Sequence, residues 1–306
     1  MSLLALLASL ALQYAFPPRG RQALLALYGR LALAVSRRLD AGDRNSGIVA
    51  WLVLAAIVVG PVALATALAM ALHPVVVWVL DVVVLYFSVR FLETTRELGT
   101  LERLLREGDA TGAANQLAAW QGEPVDTPEA AVVARLAAEH ALRESHHGAF
   151  ALLFWFLVLP GPIGVVLYPL AQRAARSWEP LPDPHGHDFG WFAARALRVL
   201  DWIPQRLTAC AFAVVGDFED ALFCWRSQAP QWPRAEEAIV LAAGAGALGV
   251  RLGMPLTEVE GLQPRTDLGL GEPADAPFLD STVGLLWRAL VLWVFVLVVL
   301  SLTRIF

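Results

Sequence analysis

The sequence predicts an all-α, multi-pass integral membrane protein. About four to five membrane segments, an amphipathic interfacial helix and cytoplasmic helical regions are expected. Three observations carry this. Apolar residues make up 57% of the 306 and charged residues only 17%, against roughly 25% charged in soluble domains. Mean hydropathy is +0.57. Several apolar runs approach or exceed the ~20 residues a helix needs to cross a bilayer. The net charge of −5 gives no nucleic-acid signal. All 23 basic residues are arginine, which excludes a lysine-bearing P-loop and a lysine Schiff base. Cys210 and Cys224 show no CxxC spacing, so both read as small packing residues rather than a disulfide framework.

The N-terminal region is taken as residues 1–92. Residues 2–16 are apolar but short for a span, and they lack the basic start and Ala-x-Ala end of a cleaved signal, so an uncleaved helix is expected. Arg21, Arg30, Arg37 and Arg38 then recur among leucines and alanines at helical spacing. That pattern suits a helix lying in the interface with its arginines reaching headgroups. Residues 48–72 form the first full-length span, with a kink expected at Gly60-Pro61. After a His73-Pro74 turn, residues 75–89 return as a second span carrying Asp81 at mid-length. An ionisable residue there is a functional candidate, or else a helix–helix hydrogen bond. Arginines flank the hairpin on both sides, which places both flanks in the cytoplasm and the turn outside.

Residues 93–148 read as a soluble helical segment. It breaks at Gly108-Asp109 and restarts with Asp126 or Thr127 as cap and Pro128 in the first turn. A central region follows over 149–282. Its apolar run is broken by Pro160-Gly161-Pro162, and each half alone is too short to span. It is either one kinked helix or a segment that re-enters on the same side. The residues from Ala235 to Gly253 form a small-residue helix suited to close packing. Residues 283–306 hold a C-terminal span.

Three patterns could carry chemistry. His140, Glu144 and His147 are spaced i, i+4, i+7, and Glu144-x-x-His147 has the form used in di-metal bundles. No second copy of the motif occurs, so no metal site is expected. The helix reads instead as a wet surface with Arg143 paired to Glu139. His185 and His187 read as part of a solvated loop. The run Asp201-Trp202-Ile203-Pro204-Gln205-Arg206 predicts a helix start, with Asp201 before it and Arg206 in its first turn. A cation in a first turn calls for an anionic ligand or an ion pair. Near Gly246 to Gly253, glycines permit close backbone approach and Arg251 offers a phosphate-matching fork. Glu144, Asp201, Arg206 and Arg251 are therefore the candidate ligand-pocket residues.

These blocks carry a resemblance. "DWIPQRLT" and "GALGVRLG" are similar to blocks of the CobD/CbiB cobalamin-biosynthesis proteins, and "ESHHGAFALLFWFLVLPGPIGVVLY" resembles a third. Membership of the enzymatic branch would imply an adenosylcobinamide-phosphate synthase. Such an enzyme joins aminopropanol or its phosphate to adenosylcobyric acid at the membrane, using Mg-ATP. The sequence departs from that branch in reading "QYAFPPR" where an acid is expected, in lacking the aspartate near His146-His147, and in reducing a "NAGWPE" block to Gln231-Trp232-Pro233-Arg234. The run from Val199 to Leu207 is nearer to the form in AmpE, a companion of the AmpD amidase. The expectation is thus an AmpE-like inner-membrane regulatory protein, linked to cell-wall stress and β-lactamase induction and without catalysis. The bilayer and an AmpD-like amidase system would be its partners. The synthase is the alternative.

Overall fold

The structure is a computed structural model and describes residues 2–178, 188–232, 235–253 and 267–303. It is helical almost throughout, with one two-residue strand pair. Among the described residues, three helical stretches are long and apolar enough to cross a membrane: Arg44–Leu72, Pro74–Arg106 and Ala276–Val299. The chain is an all-α membrane protein. It divides into two compact units, residues 1–89 with 151–203, and residues 90–150 with 204–306.

The first unit holds α1 (Ser2–Ala15), α2 (Arg21–Leu39), α3 (Arg44–Leu72) and α4 (Pro74–Ser88). Asp43 caps α3 by accepting from the Ser46 N–H at 3.2 Å. The helix continues through Pro61. His73 ends α3 and caps α4, accepting from the Val75 N–H at 3.2 Å, and Pro74 occupies the first helical position, where its missing N–H costs nothing. Along α3, Val49, Leu52, Ile57, Leu64 and Leu68 are exposed. An apolar face of that kind suits lipid.

Arg30, Arg37 and Arg38 are exposed on α2, as an interfacial helix requires, but Arg21 is buried. It does not reach outward. Its Nε donates to the Phe87 carbonyl at 2.9 Å, and its Nη2 to the Tyr86 and Val89 carbonyls at 3.0 and 2.7 Å. Gln13 of α1 adds a bond to the Tyr86 carbonyl at 3.1 Å. The last carbonyls of a helix lack intrahelical partners, and in an apolar setting each one left bare is costly. Here α1 and α2 supply the donors.

The same unit contains α8 (Ala151–Val158) and α9 (Ile163–Ser177), separated by Pro160-Gly161-Pro162. The chain reverses at this break, so that Gly164 packs against the Trp155 carbonyl. The stretch is therefore a helical hairpin rather than one kinked helix. At about 1.5 Å per residue neither arm crosses a ~30 Å core. A side chain at Gly164 would lie 2.7 Å from the Trp155 carbonyl carbon and 2.9 Å from its Cβ. We expect Gly164→Val to destabilise by about 1–3 kcal/mol, read as a lowered Tm in detergent. An unchanged Tm would contradict this packing. Val166, Leu170, Ala174 and Trp178 of this hairpin build the core with Tyr28, Ala32, Leu54 and Phe189.

The second unit holds α5 (Phe91–Arg106), α6 (Ala110–Gln121), α7 (Ala130–Ser145), α11 (Phe218–Ser227), α12 (Ala235–Leu248) and α13 (Ala276–Thr303). The break at Gly108-Asp109 is as expected, and Asp109 caps α6 by accepting from the Gly112 N–H at 2.8 Å. By contrast, α7 starts at Ala130, with neither Asp126 nor Thr127 as its cap. Phe150 is central to the core. It meets Phe91 at 6.4 Å, Phe212 at 5.9 Å and Trp293 at 6.2 Å between ring centroids. Glycines of α12 pack as expected, Gly246 against the Asp220 backbone and Gly244 against Leu142.

Candidate functional site

In the second unit, α12 ends at Gly249, whose φ of +65° turns the chain into strand β1 (Val250–Arg251). This strand pairs in parallel with β2 (Glu272–Pro273), and Leu252 bridges Leu268. Gly269 and Gly271 let that return segment lie directly on the backbone of Val250 and Gly249. Arg251 is thus carried on a short strand fixed from both sides. Two residues on, the N–H of Gly253 donates to Glu139 Oε1 at 2.8 Å. That bond places the end of "GVRLG" against α7.

Glu139 is only 1% exposed and Arg135, one turn earlier, only 6%. The same helix also buries Val133, Ala137, Ala138 and Leu142. The expected wet helix is therefore wrong on this side. Arg143 reaches the Glu139 carbonyl, at 3.4 Å, rather than forming the expected carboxylate pair. Among the described residues, Nε of Arg135 and Nε of Arg251 are both buried without a hydrogen-bond partner. A buried cation without a partner is costly, and an anion is what removes the cost. Arg135 was missed in the sequence. Arg135 and Glu139 lie i, i+4 among alanines, a pattern that gains meaning only once the helix is seen to be buried.

The other candidates divide between the two units. Glu144 pairs with Arg90, Oε1 to Nη1 at 2.6 Å. The π-helical stretch His146–Phe150 follows, and its Gly148 carbonyl accepts from the Arg90 N–H at 2.8 Å. Single π turns often mark functional sites. His140 meets the Trp120 ring edge-on at 4.4 Å. His146 is buried, with Nδ1 2.9 Å from Thr208 Oγ1. His140 and Glu144 thus engage different partners instead of forming the ligand row their spacing suggested. Arg206 is half-buried in the second unit.

Asp201 and Asp81 belong to the first unit. Asp201 is buried and accepts from the Tyr168 hydroxyl at 2.7 Å. It does not precede a helix. Helix α10 (Trp191–Val215) runs through Asp201, Pro204 and Arg206, so the expected first turn does not exist. Proline normally disrupts a helix by removing an N–H bond to the carbonyl four residues back. Here that carbonyl belongs to Leu200, and the Trp155 indole N–H donates to it at 3.1 Å. A tertiary bond replaces the lost one. Asp81 is buried and forms no helix–helix hydrogen bond through Oδ1. His185, His187 and Pro233 lie outside the described residues.

The cysteines diverge. Cys224 is buried in α11, while Cys210 is exposed, contrary to the packing role expected of it. Burial pushes the Cys224 thiol up from 9.0 to about 11, with Asp220 adding to the rise. The folded state therefore holds that proton more tightly than the unfolded chain. The resulting stability is present below pH 9 and is lost as pH climbs toward about 11. N-ethylmaleimide near neutral pH should modify Cys210 and spare Cys224 until unfolding, as read by mass spectrometry. Equal labelling of both would contradict the burial.

A family model described as CobD/CbiB protein matches residues 3–300. The chain belongs to the CobD/CbiB family. It is similar to the cobalamin biosynthesis protein CobD of Stutzerimonas stutzeri, 32% identical over 277 residues that cover 89% of each chain. It is also similar to the CobD of Chromobacterium violaceum, 34% identical over 238 residues, covering 78% of this chain and 75% of the relative. No solved structure matches. These relationships overturn the AmpE-like regulatory reading. That reading rested on three short altered blocks, whereas the CobD similarity runs through nearly the whole chain. Glu139 and Glu144 are each engaged by a partner in the second unit.

Proposed function

We propose that this chain is an adenosylcobinamide-phosphate synthase, a multi-pass protein of the bacterial inner membrane that forms an amide between adenosylcobyric acid and aminopropanol or its phosphate. The observation that carries the reading, beside the CobD relatives, is the buried and unpaired Nε of Arg251 on the "GVRLG" strand. A guanidinium is a planar fork suited to phosphate. Both aminopropanol phosphate and a nucleotide present phosphate oxygens, and Arg251, with Arg135 on α7 and Arg206, supplies cations for them in the second unit.

The donor set also suits a magnesium nucleotide. Mg²⁺ takes carboxylate oxygen together with substrate phosphates, and Glu139 is a buried and Glu144 a half-buried carboxylate of that unit. Mg-ATP supplies the driving force for amide formation. In net terms a carboxylate, an amine and ATP give an amide, ADP and phosphate. What this chain contributes is orientation and charge. Arg251 neutralises phosphate in a water-poor setting, where such contacts are strong. Glu139 holds the Gly253 backbone and with it the end of the arginine-bearing strand.

Complementation tests the reading. A strain lacking its CobD-type gene, supplied with adenosylcobyric acid and dependent on cobamide for growth, should grow when this chain is expressed. Failure to grow, with the protein present in the membrane at wild-type levels, would count against the proposal.

A further inference from the structure

The Pro-Gly-Pro break meets two membrane helices of the first unit. A methyl group placed on Gly161 would lie 2.8 Å from Thr66 Cγ2, 3.6 Å from Thr66 Oγ1 and 3.7 Å from Asp81 Oδ1. Gly161 itself has φ of +60°, a conformation that favours glycine. Thr66 on α3, Asp81 on α4 and the turn between α8 and α9 therefore meet around one small space beside Gly161, too tight for an added methyl group. Asp81 is 6% exposed and Thr66 2%.

The groups around this space are oxygen acceptors with few donors. Asp81 Oδ1 is buried and has no hydrogen-bond partner. The Thr66 hydroxyl commits its one proton to the Val62 carbonyl at 2.8 Å, so toward the space it offers lone pairs only. Pro160 and Pro162 have no N–H. The break also leaves carbonyls at the end of α8 without intrahelical partners. Gly161 keeps its N–H, as do the first-turn residues of α9, but no backbone N–H bonds to Asp81 Oδ1. Irregular backbone within a membrane is tolerated where it lines a protein-enclosed site, and broken helices there coordinate cations through freed carbonyls. A single carboxylate balances a single positive charge. Magnesium would demand near-octahedral coordination and retained waters.

We propose that Thr66, Asp81 and the Pro160-Gly161-Pro162 turn form an intramembrane binding site for a monovalent metal cation. The site is independent of the synthase reading, since it lies in the first unit and uses none of the arginines.

The test uses the purified full chain in detergent. Its Tm is followed while sodium or potassium chloride replaces choline chloride at constant ionic strength and pH. A ligand that binds only the folded state raises Tm until it saturates. The expected result is a saturable rise of several degrees with at least one metal cation and none with choline, abolished in Asp81→Asn and in Thr66→Val. Radioactive sodium binding to the wild-type protein gives a second readout that needs no variant to fold. The proposal is overturned by a Tm indifferent to both metal cations. An equal rise in Asp81→Asn would overturn it too, as would stabilisation by acidification alone with no radioactive sodium retained.

Discussion

Replacing Arg251 with alanine is expected to lower amide formation by about two to three orders of magnitude, the scale of removing a preorganised charge from a developing or bound anion. The same change should leave Tm unchanged or raise it. Arg251 Nε has no protein partner to lose, and a half-buried guanidinium whose Nε is buried without an anion supplies little stability. The strand that carries it is held by backbone pairing to Glu272 and Pro273 and, through Gly253, by Glu139. Arg251→Lys should fall between, because it keeps the charge and loses the fork. Activity and stability moving in opposite directions is the mark of a binding residue. A large fall in Tm for Arg251→Ala would instead make the arginine a structural one.

The largest stability effect is expected at Arg21. In Arg21→Ala the carbonyls of Tyr86, Phe87 and Val89 lose three donors at 2.7–3.0 Å. Bonds to a charged donor contribute about 1.5–3 kcal/mol each in favourable settings, and bare carbonyls in an apolar site add a penalty. Gln13 and incoming water offset part of this. A loss of about 3–5 kcal/mol is expected, a fall in Tm of about 10 °C for a protein of this size. Arg21→Lys should recover only part, since one ammonium cannot span three carbonyls in the same plane. Scanning fluorimetry in detergent reads both. A fall of less than a degree or two would mean that Arg21 faces headgroups after all.

The broad fold was legible because hydrophobic length is a direct demand of the bilayer. The α3 and α13 spans, the Gly108-Asp109 break and the close-packed α12 all follow from local pattern. What was not legible came from tertiary partners. Pro204 looked like a helix start because a proline inside a helix strands the Leu200 carbonyl. Nothing local shows that Trp155 repairs it. Arg21 looked like one of four interfacial arginines until α4 ended beside it. The face of α7 looked wet because Arg143 and Glu139 were read as a local pair, while Glu139 belongs to a strand 114 residues away. Of the candidate residues, Arg251 stood out by its glycine-rich surroundings, and its Nε is buried. Arg135 did not stand out, because a charged residue on an alanine face gains meaning only when that face is buried. The branch of the family was misread for a related reason. Missing acids in short blocks weigh little against similarity along residues 3–300.

The most direct test of the account is a reaction. The purified chain in lipid vesicles would be given adenosylcobyric acid, aminopropanol phosphate and Mg-ATP, with product followed by mass spectrometry. The account predicts adenosylcobinamide phosphate, with ADP released in step, and near-total loss of product in Arg251→Ala. No product from folded protein, while the Stutzerimonas stutzeri relative forms it under the same conditions, would contradict the account.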